Sequence, residues 1–334
     1  MATIKDIATK LGVSISTVSK GLHGASDISE EMRQQVLDAA VSLGYVVKDK
    51  KTSEHHKVCI MVENMDYANI NQFGYELITG FRLKAQDQQY QVDIIPMDVY
   101  SQTQQSYDHF MKKNSYSGAF FLGFEMNDAY LQQLTHTSIP TVLFDNYVPN
   151  RHVAYIGTDD RIGIESLVDY LYKNGHRKIA ILNGSKNSYI SNQRCEAFLS
   201  YMEKLGIKHN PKLIGHGIGF QPESISGFIP QFVAEGATAI VCGSDLIASV
   251  AMNELYKIGL RVPDDISVTG YDDLPISKYL VPPLTTIRQE RFALGKQAFR
   301  LLAQLIKGEP VSTVLYHSEF VIRESVGSAT KKKD

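Results

Sequence analysis

Tryptophan is absent from this chain of 334 residues, and only three cysteines occur. Cys59, Cys195 and Cys242 are scattered and odd in number, so no disulfide framework runs through them. Reduced, partly buried thiols in a cytoplasmic protein are the expectation. No apolar run approaches the roughly 18 residues that a transmembrane helix needs. The N-terminus opens on a polar amphipathic stretch with no apolar signal segment, which disfavours a secreted binding protein. A strong charge of either sign is missing too. The formal net charge is −2, and residues 1–51 carry seven Lys/Arg against six Asp/Glu. Any nucleic-acid surface must therefore be a local patch. Enzyme signatures are also lacking: no P-loop, Gly-x-Ser-x-Gly elbow, His-Glu-x-x-His or Cys-x-x-Cys occurs. Gly215-His-Gly-Ile-Gly219 lacks the third glycine of a dinucleotide loop, and His55 and His56 have no spaced partner for a metal. We expect no catalytic residue, cofactor or metal.

What is present is a globular composition, 43% hydrophobic and 21% charged, with length for two or three domains. Thr3 with Asp6 marks a helix start, and Ile4, Ile7, Ala8 and Leu11 recur at helical spacing. Gly12 stops that helix. Ser14 caps a second one, in which Val18 and Leu22 point inward and Ile15, Ser16, Ser19 and Lys20 outward. Ser29 caps a third, with Met32, Val36, Ala39, Ala40 and Leu43 on its apolar face. Two short helices joined by a tight glycine turn, the second exposing small polar and basic side chains, follow the plan of a helix-turn-helix. The stretch 48–57 is polar and charged throughout, as in a flexible linker.

From Val58 the pattern changes to apolar runs alternating with amphipathic helices. Strands are expected at 58–62, 92–96, 118–122, 141–144, 179–182, 212–215, 239–242, 267–270 and 314–320. Helices are expected at 74–88, 102–114, 127–134, 163–174, 191–205, 223–235, 245–258 and 290–307. This alternation predicts an α/β chain with two doubly wound parallel-sheet subdomains behind a small all-α head. Ligands of such sheets bind beyond the carboxyl ends of the strands. Asp145, Asp245 and Asp272 each follow an expected strand, and Arg194 stands early in an expected helix. Carboxylates and a guanidinium fork suit hydroxyl-rich ligands. Tyr67, Phe73, Phe124, Tyr189 and Phe220 offer rings for a sugar face. Asp145 and Asp272 read as binding residues, Asp245 as a helix cap.

The runs Lys5-Asp-Ile-Ala, Gly12-Val-Ser, Thr17-Val-Ser-Lys20, Val36-Leu-Asp-Ala-Ala and Leu43-Gly-Tyr45 closely resemble the N-terminal signature of the LacI/GalR family of transcription regulators. Asn174-Gly-His-Arg-Lys-Ile179, Val268-Thr-Gly-Tyr-Asp-Asp273, Pro282-Pro-Leu-Thr-Thr-Ile287 and Arg323-Glu-Ser325 resemble its effector-domain signatures, so the resemblance spans almost the whole chain. It implies a core of periplasmic-binding-protein type, a homodimer, a pseudo-palindromic double-stranded operator and a small effector, usually a sugar or nucleoside-type metabolite. It further implies that Arg194 and Asp272 hold the effector, with Asp145 and Phe73 contributing from the other subdomain. Ser244 stands where the family often has Asn. In the head, Ile15, Ser16 and Lys20 would read bases and Thr17 and Ser19 would touch phosphates, with Thr3, Ser14 and His23 alongside. Lys20 replaces a common Arg and His23 a common Asn, which softens base discrimination. The family's hinge, with its Pro, Ala-Arg and Leu, has no counterpart after Tyr45, so weaker DNA bending is expected.

The domain plan is thus 1–47 for DNA, 48–57 as linker and 58–327 for effector and dimerisation. Within the last, an N-subdomain takes about 58–156 and 286–318 and a C-subdomain about 157–285 and 319–327; 328–334 is a tail. The expected function is a cytoplasmic repressor that responds to a sugar. The competing reading is a sugar-binding protein or sugar-active enzyme with an idle helical head.

Overall fold

The computed structural model describes residues 3–22, 25, 27–45, 56–219 and 221–329. The expectations for His23, Phe220, the hinge segment 46–55 and the tail from 330 fall outside these residues.

The head consists of α1 (Ile4–Leu11), α2 (Ile15–Leu22) and α3 (Glu30–Ser42). Thr3 and Asp6 cap α1 reciprocally, and Gly12 leaves it in the left-handed region at φ 66. Ser14 Oγ accepts the Thr17 amide at 3.0 Å and so starts α2. Ile7, Ala8, Val18, Val36, Ala39 and Ala40 are buried together as a small core. α2 presses close on α3 at Gly21, where a Cβ would lie 2.9 Å from that of Val36.

The chain continues through β1 (Lys57–Val62), α4 (Phe73–Asp87), β2 (Gln91–Pro96), α5 (Val99–Gln104), α6 (Tyr107–Lys113), β3 (Gly118–Leu122), α7 (Ala129–Gln133), β4 (Thr141–Phe144) and β5 (Val153–Thr158). Next come α8 (Asp160–Lys173), β6 (Ile179–Asn183), α9 (Tyr189–Lys204), β7 (Ile214–His216), α10 (Phe228–Ala234), β8 (Ala239–Cys242), α11 (Asp245–Lys257) and β9 (Ser267–Thr269). It ends with β10 (Thr286–Arg288), α12 (Arg291–Ile306), β11 (Thr313–Tyr316) and β12 (Glu319–Val321).

One sheet has the order β11-β5-β4-β3-β1-β2 and another β7-β6-β8-β9, every pair parallel. β10 and β12 pair antiparallel. The chain passes between the sheets three times: after β5, between β10 and α12, and between β11 and β12. Alternation along β1 and β3 sorts the first sheet's side chains to two faces. Val58, Ile60, Phe120 and Leu122 meet Leu77, Phe81, Leu294 and Phe299 of α4 and α12. Cys59, Met61 and Phe121 meet Tyr107, Met111, Tyr130 and Leu131 on the other face. Both faces are covered, which is why the strands read as continuous apolar runs.

Five expectations are corrected. The helix expected over 102–114 is two helices, because Gln105 is extended and Ser106 accepts the His109 amide to start α6. Over 223–235, a 3-10 turn (Pro222–Ile225) precedes α10. Over 212–215, a 3-10 turn (Pro211–Leu213) precedes β7. The strand expected at 314–320 is split between β11 and β12, in different sheets. β5 and β10 were not expected as strands at all. β5 is flanked by β4 and β11, and its pairing with a segment some 160 residues away leaves no local mark.

Candidate functional site

On α2, Ile15 is 53% exposed, and Ser14, Ser16 and Lys20 are exposed beside the half-buried Thr17 and Ser19. Thr3 and Ser14 are engaged as helix caps. Lys20 Nζ lies 2.5 Å from Asp27 Oδ2, in the turn after α2. A short helix exposing an apolar side chain, hydroxyls and one cation along a single side is suited to a major groove.

Between the two sheets, at the carboxyl ends of their strands, lies a cleft of about 730 Å³. Phe73, Phe124 and Asp145 line it from the first sheet, and Arg194, Ser244 and Asp272 from the second. Tyr189 is not among its lining residues; its ring stands edge-on to Tyr155 at 6.0 Å. Asn64 (φ 48), Asp145 (φ 51) and Asp272 (φ 114) line the cleft in the left-handed region. Non-glycine residues persist there only where their surroundings hold them, a pattern common at ligand clamps.

Arg194 is buried and fully oriented. Its Nε donates to Asp160 Oδ1 at 2.6 Å and its Nη1 to the Gly243 carbonyl at 2.6 Å, while the guanidinium lies 3.9 Å from the Tyr271 ring centre. Asp272 Oδ1 accepts from Gln289 Nε2 at 2.8 Å, and Gln289 Oε1 accepts from the Thr158 hydroxyl at 2.6 Å. The Asp272 carbonyl accepts from Arg291, which also pairs with Glu76 of α4 at 2.7 Å. Asp145 Oδ1 is buried without a partner.

Burial, with Asp160 close by, raises Asp145 well above the carboxylate range. Burial pushes Asp272 up to about 6 against the pull of Arg194 and Arg291. These groups can hold hydroxyls as acceptors and, when protonated, as donors.

Asp245 does not cap its own helix, as the sequence led us to expect; Ser244 does. The Asp245 carboxylate instead accepts from Leu274 N at 2.7 Å, Ser277 Oγ at 2.5 Å and Thr286 Oγ1 at 2.6 Å, tying β10 to the second sheet. Asp160 and Gln289 escaped the sequence reading. The one signal for Asp160 is that it follows an aspartate at a helix start; Gln289 gave none. Among the described residues, no His/Cys/Asp/Glu group could hold a metal ion and no helix is long and apolar enough to cross a membrane.

Behind the cleft wall, Glu63 is 4% exposed and accepts from Gln102 Nε2 at 2.6 Å. Burial, with Asp128 beside it, pushes Glu63 up to about 8 from an ordinary value of 4.5. The folded chain therefore keeps a proton that the unfolded chain loses. The associated stability is full below pH 4.5 and is lost as pH rises to about 8. Glu63→Gln keeps the hydrogen bonds without the titration. We expect it to raise stability at pH 8 by on the order of 2 kcal/mol while changing little at pH 4.5. Thermal melts across that range check this; equal pH slopes in both proteins refute it.

A helix-turn-helix head on a two-sheet core, with a cleft between the sheets that carries charged and aromatic side chains, defines a ligand-responsive DNA-binding regulator. Residues 3–47 match the model for bacterial regulatory proteins of the lacI family, and residues 168–326 match a periplasmic binding protein-like domain. The chain is 30% identical over 337 residues to the HTH-type transcriptional repressor PurR of Pasteurella multocida, covering 98% of this chain and 99% of that one. It is 28% identical over 333 residues to the HTH-type transcriptional repressor CytR of Escherichia coli, covering 97% and 96%. The solved complex of the transcriptional regulator CelR with cellobiose superposes with a TM-score of 0.70 at 25% identity, over 97% of this chain and 100% of that one. This chain belongs to the LacI family of bacterial regulatory proteins. It is a transcription regulator and not an enzyme.

Proposed function

We propose that the chain is a homodimeric repressor acting in the cytoplasm, whose affinity for a pseudo-palindromic operator is set by a small effector, a sugar, in the cleft. Residues 1–47 form the DNA-binding domain, 48–57 the linker and 58–327 the effector and dimerisation domain. Ile15, Ser16 and Lys20 read bases, Thr17 and Ser19 contact phosphates, and Phe73, Phe124, Asp145, Arg194, Ser244 and Asp272 hold the effector. What supports this above all is that one cleft takes side chains from both sheets and is tied directly to the segments joining them. Asp272 grips Gln289, which follows β10, and Gln289 grips Thr158 at the end of β5. A ligand favouring one closure of the cleft thereby biases the segments that carry the first sheet, and only such differential affinity shifts the equilibrium.

The test is fluorescence anisotropy with DNA upstream of the chain's own gene, across salt concentrations and with a panel of sugars. We expect specific binding that weakens steeply with salt and is shifted by one sugar. Binding equal for specific and scrambled DNA counts against the reading of the head. Specific binding that no small molecule shifts counts against the reading of the cleft.

A further inference from the structure

Ionisable groups in the cleft are heavily one-sided: even with burial favouring the neutral form of Asp145, acidic side chains outnumber the cation. Five carboxylates line it, each from a segment following a strand: Asp66 after β1, Glu125 after β3, Asp145 after β4, Glu223 after β7 and Asp272 after β9. Asp66 and Glu223 are exposed and Glu125 half-buried, so three carboxylates stand toward solvent. Among the described residues Arg194 is the only cation in the lining, and Asp160 at 2.6 Å already balances its charge. Arg291, just behind, is engaged by Glu76 and the Asp272 carbonyl. The remaining polar lining is neutral: Asn64, Gln72, Ser188, Gln221, Ser244 and Gln289. Amides and hydroxyls exchange hydrogen bonds with hydroxyls in either direction. The buried, unpartnered Asp145 Oδ1 calls for a hydrogen-bonding group from a ligand, and a hydroxyl can serve it in either direction.

We propose that the cleft selects an uncharged, multiply hydroxylated effector of disaccharide or nucleoside size and rejects the phosphorylated or carboxylated forms of the same compounds. This rests on the effector reading above and narrows it. Phe73, Phe124 and Phe144 supply apolar surface for a ring, and the volume suits a ligand of two rings. A phosphate or carboxylate would meet carboxylates at the mouth and, among the described lining residues, no unpaired cation, and like charges brought together in a partly dry site repel strongly.

The test is calorimetric titration of the full chain with matched pairs: cellobiose and its phosphate ester, glucose and glucuronate, adenosine and adenosine monophosphate. The disaccharide and nucleoside arms separate the two sources. We expect the neutral member of the binding pair to bind at least about a hundredfold more tightly than its anionic partner. The gap should narrow at high salt, and by about tenfold in Glu223→Lys, whose exposed side chain is outside the core. An anionic member that binds as tightly as its neutral partner overturns the selectivity while the effector reading stands. If no member of any pair binds, the effector reading fails and the selectivity falls with it.

Discussion

Arg194→Met is expected to destabilise the effector core by about 3–5 kcal/mol, the usual cost of removing one partner from a buried ion pair. The side chains of Arg194 and Asp160 are 3% and 4% exposed, and Arg194 is the cation that balances the Asp160 carboxylate. Methionine keeps much of the arginine's bulk against Tyr271 but leaves a buried carboxylate without its cation. The Gly243 carbonyl loses its donor as well. Adding Asp160→Asn removes the stranded charge, so the double variant should recover most of the lost stability. On the role proposed for Arg194 it should not recover effector binding, because the only cation among the described lining residues is gone. We expect effector affinity to fall about a hundredfold or more in both variants. Urea unfolding gives the stabilities and calorimetry the affinities. A single variant as stable as the parent would mean that the pair is not a buried support; a double variant with intact effector binding would remove Arg194 from the site.

Arg194 both lines the cleft and supports its wall, and only the first of these could be read from the sequence. That Arg194, Asp145 and Asp272 line one cleft was legible because they stand at strand ends of parallel sheets, where clefts of such folds open. Their partners were not legible. Asp160 lies 34 residues from Arg194, and Thr158 lies 131 from Gln289. No local periodicity encodes such pairs.

Some signature runs turned out to be supports. His176 Nδ1 meets Thr238 Oγ1 at 3.0 Å and its Nε2 meets the Gly327 carbonyl at 3.0 Å. Ser325 Oγ donates to the Val268 carbonyl at 2.6 Å and accepts from Thr285 N at 2.8 Å. Both fasten the end of the chain to the second sheet. The head was readable almost completely, since its caps, its glycine turn and its apolar stripe act within a few residues. The elements misread were those governed by distant partners, as with β5 and β10, or by one side chain competing for the backbone, as with Ser106.

For the head, Lys20→Ala and Asp27→Asn should move operator affinity in opposite directions. Lys20 is the one cation on the exposed side of α2, and a lysine on a guanine edge is worth about 1–3 kcal/mol, roughly a tenfold to hundredfold loss per head when removed. In the proposed dimer the loss occurs at both half-sites. In the free head Lys20 is held by Asp27 at 2.5 Å, with the two side chains 46% and 60% exposed. Reaching DNA requires breaking that contact. An exposed pair of this kind is weak and screened by salt. Asp27→Asn therefore removes the competitor and one acidic charge near the phosphates, and should tighten operator binding by about twofold to fivefold. The two changes share Lys20, so they should not add: once Lys20 is alanine, Asp27→Asn should retain only the smaller, salt-sensitive gain from the lost acidic charge. Anisotropy titrations of all four proteins at two salt concentrations decide the matter. Equal affinities for parent and Lys20→Ala would take Lys20 out of the DNA contact. A full Asp27→Asn gain persisting in the double variant would mean that Asp27 acts on the phosphates directly and not through Lys20.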